Sequence, residues 1–539
     1  MLCDNAVDFS EASVRTPVRN NRVWNFLEGY RHRKLIANGF RDGFRIRLSK
    51  SITKLHQYKT VKLENKRELV KKLNVELENG RILGPYASVP TENMVISPLY
   101  VIPKSTPGKF RLIHNLSYPR GASVNDHIND DDKSVHYYSL TDVARFLVGR
   151  NENTWWLSKV DLKDAYRCVP IHKADWPCLG MKLDDKYFCD TCLPMGLGTS
   201  CRIFTEVSDA LAWIFKKRNK DAFIFNYLDD FLILADSESK CQSSLNDFLS
   251  SLEYLGFPVS HEKTVQPCQR LEFLGLGIDA SALSFYVPDS KRTKTVDMIT
   301  SFLSTKRHKV HTIQKLVGNL AFLCQSLLPG KSLLGSLYEQ LRGILSQDGW
   351  RIRRISSGVR DDMMLWRRFL EQATAEKKFH FLFPEDQPSY TITTDASGSV
   401  GYGAVMDEEW FSGLWNEEWW ISQNIALLEL YPIFVALHIW LDKISNSSIH
   451  VVTDNMALVS MLNSMYSKDK KINKLLKNCA LLAMDHNIVI RALHIRTEDN
   501  IIPDRLSRNL CCARYLKSYK QCDIPAHLTT DSIKNLICC

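Results

Sequence analysis

The chain has 539 residues, 45% of them apolar and 24% charged, values ordinary for soluble globular protein and enough to bury several cores. Its formal charge of +10 is uneven: Lys291 to Lys378 holds 17 Lys and Arg against 7 Asp and Glu, a net of +10, which suggests a polyanion partner. The opening MLCDNAVDFSEASVRTPVRNNR lacks the apolar core of a secretory signal, and the longest apolar run, Ala426 to Leu441, is broken by Glu429 and too short for a bilayer.

Fifteen cysteines without a signal are expected as reduced, mostly buried thiols of an intracellular protein, cytoplasmic or nuclear. Residues up to about Gly80 read as helical and charged, with turn glycines in NGFRDGFRIRL. From Ile82 to Asn129 short apolar runs broken by Pro and Gly predict a β-rich layer with hairpins. Lys104 and Arg111 flank the turn Pro107-Gly108. Two such cations are commonly just solvated, but beside a metal-bound triphosphate they would neutralise its phosphates.

In LSKVDLKDAYRCVPI, Val160 and Leu162 flank Asp161, which a strand would present at its end. Tyr166 follows as a bulky ring for the floor of a pocket or for core packing. Cys189 and Cys192 form a lone CxxC without a second pair, which favours packing over zinc. The turn Leu193-Pro194-Met195-Gly196-Leu197-Gly198 leads into a helix predicted over Thr199–Lys217.

The stretch FIFNYLDDFLILA then reads as strand, tight turn and strand, with Asp229 and Asp230 at the turn. Alone, such a pair is an acidic hairpin tip. With Asp161 upstream it becomes a set of hard oxygen ligands suited to Mg²⁺ and to phosphate bridged through it. Lys263 and the segment LEFLGLG follow, then a helix over Thr312–Leu328 in the basic region.

A second acidic set begins in ITTDASGSVGYGAVM. Asp395 ends a strand, Glu429 interrupts an apolar helix, Asp454 follows a strand in HVVTDNMALVSML, and Asp504 opens a helix behind Pro503. Four acids at strand ends and helix starts make a second two-metal candidate. The tail after Asn509 carries irregularly spaced cysteines to which the sequence assigns no role.

On these motifs the chain resembles, from about Asn38 to Asn509, a retroelement reverse transcriptase followed by a ribonuclease H domain. VDLKDAY, LPMGLGTSCRIF, YLDD, Lys263 and LEFLGLG are similar to the polymerase motifs in order. TDASG, the Glu429 helix, TDN and NIIPD are similar to the four nuclease motifs. Within that group GFRDGFRI, GRILGPYASVP, SPLYVIPK and VGNLAFLCQSLLPGKSLL resemble DIRS-like and Ngaro-like retrotransposons, which encode a tyrosine recombinase. No recombinase follows here, so a separate chain or region would supply it.

The resemblance implies an α+β fold: a right-hand polymerase (fingers, palm with antiparallel sheet, helical thumb) and then an α/β ribonuclease H-like domain. The expected segments are 1–80, a helical N-terminal extension; 81–285, fingers and palm; 286–385, basic thumb and connection; 386–510, the ribonuclease H-like domain; and 511–539, a Cys-containing tail. It implies RNA-directed DNA synthesis from a DNA primer on an RNA template, with destruction of the RNA in the resulting RNA–DNA hybrid. Asp161, Asp229 and Asp230 would hold two Mg²⁺ (or Mn²⁺), and Asp395, Glu429, Asp454 and Asp504 two more. Lys104, Arg111, Tyr166, Met195 and Lys263 would contact the dNTP, Tyr166 by excluding a ribose 2′-hydroxyl. No membrane is expected as a partner. The alternative is a host-adopted nucleic-acid-binding protein without turnover.

Several positions depart from the common pattern: Met195 stands where Gln is frequent, Ser200-Cys201 replaces a Pro-containing pair, and Pro503 replaces Ala. His494 falls on the strand before the loop where many relatives place a His.

Overall fold

The computed structural model describes residues 9, 11–49, 52, 66–103, 108–149, 155–345, 348–372, 377–378 and 388–538, so Lys104 lies outside the described residues. The chain divides into two compact units, Met1–Phe273 and Leu274–Cys539.

The first unit is built on an antiparallel sheet with strand order Val265–Cys268, Trp156–Asp161, Asp230–Ala235, Ala222–Tyr227. The run Phe231–Ala235 is buried throughout, which is why it is continuously apolar instead of alternating. The neighbouring strand shows how both faces are covered. Asn226 points to one side and donates to Ser208 Oγ at 3.0 Å on the helix Ser200–Arg218. Phe223 and Phe225, two residues apart, point to the other and meet Phe146 of the helix Leu140–Val148.

The helix Glu238–Leu255 packs beside this sheet. Ser237 caps its start by accepting from the Lys240 N–H, and Gly256 ends it at φ 89°. A Cβ on Gly256 would lie 2.2 Å from the Pro17 carbonyl oxygen, so both backbone angle and space demand glycine there.

The expected β-rich layer is a four-stranded sheet in the order Ile82–Tyr86, Lys186–Asp190, Gly180–Leu183, Ile96–Ser97, with a separate hairpin of Leu99–Pro103 and Phe110–His114. Buried Arg167 ties this layer to the helix Lys66–Glu78, reaching Asp190 and Glu76 at 2.8 Å each. Cys189 and Cys192 are buried free thiols, and the Cys189 thiol donates to the Trp176 carbonyl at 3.1 Å.

The second unit opens with the strands Leu276–Asp279 and Ser284–Tyr286, followed by the helices Asp289–Leu303, Val310–Leu323, Gly335–Leu341 and Ser357–Gln372. The predicted helix to Leu328 closes at Leu323, and a separate 3-10 helix runs over Leu328–Leu334. Then comes a mixed six-stranded sheet, order Val489–His494, Ser448–Thr453, Tyr390–Ala396, Gly401–Met406, Glu409–Leu414, Lys520–Gln521. The helix Ile425–Ile439 is buried from Ala426 to Leu437, which explains its all-round apolar sequence. Asp362 on Ser357–Gln372 pairs with Lys477 of the helix Lys470–Asp485 at 2.7 Å, so the helical segment and the sheet domain share one unit.

The described part of the expected 511–539 tail, residues 511–538, belongs to this sheet domain. Lys520–Gln521 adds in parallel beside Glu409–Trp410, and Leu528, Ile533 and Ile537 lie in the same core as Ile392 and Tyr431. Tyr431 Oη donates to the Leu528 carbonyl at 2.7 Å.

Candidate active sites

The first site follows from strand register. Trp156–Asp161 runs antiparallel to Asp230–Ala235 with Asp161 directly opposite Asp230, and Tyr227 opposes Asp230 from the other side. Leu228 takes φ 52° to turn the chain in so few residues, which puts Asp229 at the tip; the Asp229 carbonyl accepts from the Leu162 N–H at 3.1 Å. Three carboxylates thus share one end of the sheet.

The charge balance there is tight. Burial, then Asp230, then Asp161 push the Asp229 carboxyl up to about 6. Burial and Asp161 also raise Asp230, against the pull of Lys159 and Lys263. Lys263 donates to Asp161 at 2.9 and 3.1 Å, and Lys159 stands 3.6 Å from Asp230 Oδ1. That Asp230 oxygen is buried and has no hydrogen-bond partner. An oxygen-only donor set in which burial disfavours the charged form of Asp229 and Asp230 fits hard divalent cations. Among the described residues no three His, Cys, Asp or Glu side chains converge as closely as a finished metal cage requires. Lysines neutralise the acids here instead.

Tyr166 lies on the short turn Ala165–Cys168, packed on Phe204 at 5.1 Å, and its hydroxyl donates to Cys201 Sγ at 3.4 Å. Asp229 adds to the factors that raise its phenol, after burial and Cys201, so the ring lies within reach of the acids. Sequence reasoning missed Tyr137. It packs on Tyr227 at 4.7 Å, and burial followed by a hydrogen bond to Cys201 raises its phenol. The thiol at Cys201 therefore links the ring beside the acidic turn to the ring of Tyr166.

Met195 is half-buried, and its carbonyl accepts from the His114 N–H at 3.0 Å. Gly196 must be glycine: it holds φ 127°, and a Cβ would lie 2.0 Å from the His114 carbonyl oxygen. Arg111 is exposed on its hairpin strand, paired with Ile102. The hairpin's Lys109 helps to lower the Glu262 carboxyl, after its own backbone and Ser260, so the hairpin tip comes near the Lys263 segment.

The second site gathers all four expected acids. Asp395 pairs across the sheet with Gly403, and Glu429 accepts from Thr453 Oγ1 at 3.2 Å. Asp454 accepts from Thr497 Oγ1 at 2.8 Å, and Asp504 from Arg508 Nε at 2.7 Å. Burial raises Asp395 to about 6, with Asp454 and Asp504 adding to it. Burial raises Glu429 to about 7, with Asp454 and Asp395 adding to it. Mutual repulsion of this kind requires the four to face one space. Ser507, which donates to Asp395, and Arg508 had no sequence signal beyond their place after Asp504. His494 ends the strand Val489–His494 and is exposed.

Residues 102–278 match the family model described as reverse transcriptase (RNA-dependent DNA polymerase). The chain is 27% identical over 256 residues to the Gag-Pol polyprotein of avian reticuloendotheliosis virus, covering 46% of this chain and 20% of that one. It is 26% identical over 287 residues to the Gag-Pol polyprotein of Rous sarcoma virus subgroup C (strain Prague), covering 52% and 16%. The chain thus spans a fifth or less of the length of these relatives. A foamy viral protease-reverse transcriptase in complex with dsDNA is similar in fold, with TM-score 0.50 and 15% identity over 90% of this chain and 99% of that chain. A second foamy viral structure, bound to double-stranded DNA, has TM-score 0.50 and 16% identity over 83% and 73%. The architecture is that of a right-hand polymerase followed by a ribonuclease H-like domain.

Proposed function

Starting from a reverse transcriptase domain of the retroelement polyprotein type in residues 102–278, we propose that this chain is an RNA-directed DNA polymerase with a ribonuclease H activity. The motif pieces quoted above favour a DIRS-like or Ngaro-like element. The observation that carries the polymerase reading is the register that sets Asp161 opposite Asp230 with Asp229 at the adjoining turn.

Asp161, Asp229 and Asp230 would hold one pair of magnesium ions, and Asp395, Glu429, Asp454 and Asp504 another. When bound, these ions lower the pKa of the attacking hydroxyl or water and neutralise the phosphate under attack. The protein's own groups do the rest. Tyr166, locked by Phe204 and Cys201, bars a ribose 2′-hydroxyl from the incoming nucleotide. Lys263, whose ammonium is held charged by Asp161, is placed to give a proton to the departing pyrophosphate. Met195, and Lys104 and Arg111 from the hairpin, would line the nucleotide site. Thr497 and Ser507 orient Asp454 and Asp395 for hybrid cleavage. The two activities are complementary, since copying RNA leaves a hybrid whose template must be removed.

Primer extension on RNA and DNA templates, with Asp229→Asn as control, tests the first half. Release of labelled RNA from a hybrid, with Asp454→Asn as control, tests the second. Hybrid binding without extension or cleavage would instead favour a binding protein on the same fold.

A further inference from the structure

Within the second unit, Arg307–Lys309 and Ile352–Arg354 form a two-stranded antiparallel ribbon with Arg307 opposite Arg354, His308 opposite Arg353 and Lys309 opposite Ile352. Its two faces are unequal. Val310 and Ile355 at its ends are buried, and His308 stacks on Phe302 at 4.0 Å, so alternate residues from these point inward. Arg307, Lys309, Ile352 and Arg354 therefore share the outward face, and all four are exposed. Arg351 at the ribbon's edge pairs with Asp348 at 3.3 Å. Among the described residues Arg307, Lys309, Arg353 and Arg354 have no ion pair. Like charges directly opposite across a strand pair repel each other, so the free protein keeps this arrangement at a cost to its own stability. A partner that brings regularly spaced negative charge would remove that cost.

We propose that this ribbon is a clamp for the phosphate backbone of duplex nucleic acid. Arg307 and Arg354 fork onto phosphate oxygens, Lys309 adds a point charge, and no base edge is read. This names a contact surface for the polymerase and nuclease reading and rests on it only for the identity of the duplex, an RNA–DNA hybrid.

The test is fluorescence anisotropy of a labelled RNA–DNA hybrid, without magnesium, over a salt series, using the full chain and its Arg307→Ala/Arg354→Ala variant. The expected result is weaker binding of every hybrid sequence alike, and a slope of log affinity on log salt shallower by about 2, roughly 0.9 for each phosphate that the variant leaves unneutralised. The melting temperature of the free variant should be equal or higher, since a repulsion has been removed; a lower one, pointing to a structural role, would overturn the proposal. An unchanged salt slope would overturn it too, as would a loss confined to single-stranded RNA. Arg307→Lys/Arg354→Lys should restore the slope. A chain that binds hybrid through the ribbon yet never extends a primer would sink the polymerase reading and leave the clamp standing.

Discussion

Lys263 holds its ammonium 2.9 and 3.1 Å from the two carboxylate oxygens of Asp161, closing a link between the short turn His261–Lys263 and the end of the central strand. Water reaches the lysine while the aspartate is buried, so the pair stabilises the fold only by about 0–1 kcal/mol. The lysine's pKa is raised, chiefly by its hydrogen bond to Asp161. Its stabilising effect is therefore fully present at neutral pH and fades only as pH rises past the ordinary lysine range. Lys263→Met should change urea stability by less than about 1 kcal/mol between pH 6 and 9. Primer extension should slow by about 100-fold, the loss expected when a positioned proton donor is removed. Stability that collapses with the rate would mean the residue is only a strut.

Asp229 makes the opposite prediction for stability. Its carboxyl titrates near 6 in the fold and near 3.8 when unfolded. The folded state thus binds more protons, and stability falls as pH rises from about 4 to 6, then levels. Asp229→Asn should remove that penalty. Urea melts should find the variant more stable by about 1–3 kcal/mol at pH 7.5, with the gain vanishing near pH 4. Extension should be lost at every pH.

What the sequence made legible was whatever local spacing encodes. VDLKDAY and YLDD each announce a carboxylate at a strand end, and their pairing follows from two strands that must bury Val160 and Phe231 side by side. The grouping of Asp395, Glu429, Asp454 and Asp504 was legible for the same reason. Contacts made by distant, chemically plain residues were not. Tyr137 sits in HYYS, with no periodicity to say that it would meet Tyr227, 90 residues on. The end of the chain misled because its cysteines draw the eye, while Leu528, Ile533 and Ile537 do the packing.

The four acids of the second site should make magnesium a stabilising ligand. Asp395 near 6 and Glu429 near 7 are raised by burial and by their neighbours, so at pH 8 these two are ionised and repel each other. Any cation bound there relieves this, and ligand at 100 times its Kd adds about 2.7 kcal/mol. Thermal melts in Mg²⁺ should rise at pH 8 and barely move at pH 5, where protons hold the site. Asp395→Asn/Glu429→Gln should melt higher without magnesium and respond less to it. An equal magnesium response in that variant would place the binding elsewhere.

Tyr166, Cys201 and Tyr137 should divide selectivity from rate. Tyr166→Ala opens the space where a 2′-hydroxyl would sit, so preference for dNTP over rNTP should fall by roughly 10- to 100-fold in kcat/KM. Cys201→Ala takes away the shared partner of both phenols and should loosen that preference less, within about tenfold. Tyr137→Ala strips the ring that backs Tyr227 and should lower kcat for dNTPs while leaving the preference unchanged. Unaltered selectivity in Tyr166→Ala would end its role as a gate.

The C-terminal segment should be needed for the fold of the sheet domain. Ile533 and Ile537 are 3% and 5% exposed in the core that also holds Tyr431 and Trp420, and the Trp420 indole donates to the Thr530 carbonyl at 3.3 Å. This packing lies against the helix that carries Glu429, so loosening it should reach the acids through Tyr431, two residues on from Glu429. Ile533→Ala should cost about 2–4 kcal/mol in the second unit's unfolding, the usual penalty for truncating a buried branched side chain. The first unit has its own core, so its unfolding should stay unchanged while hybrid cleavage weakens as temperature rises. An equal loss of stability in both would show that the two units unfold together.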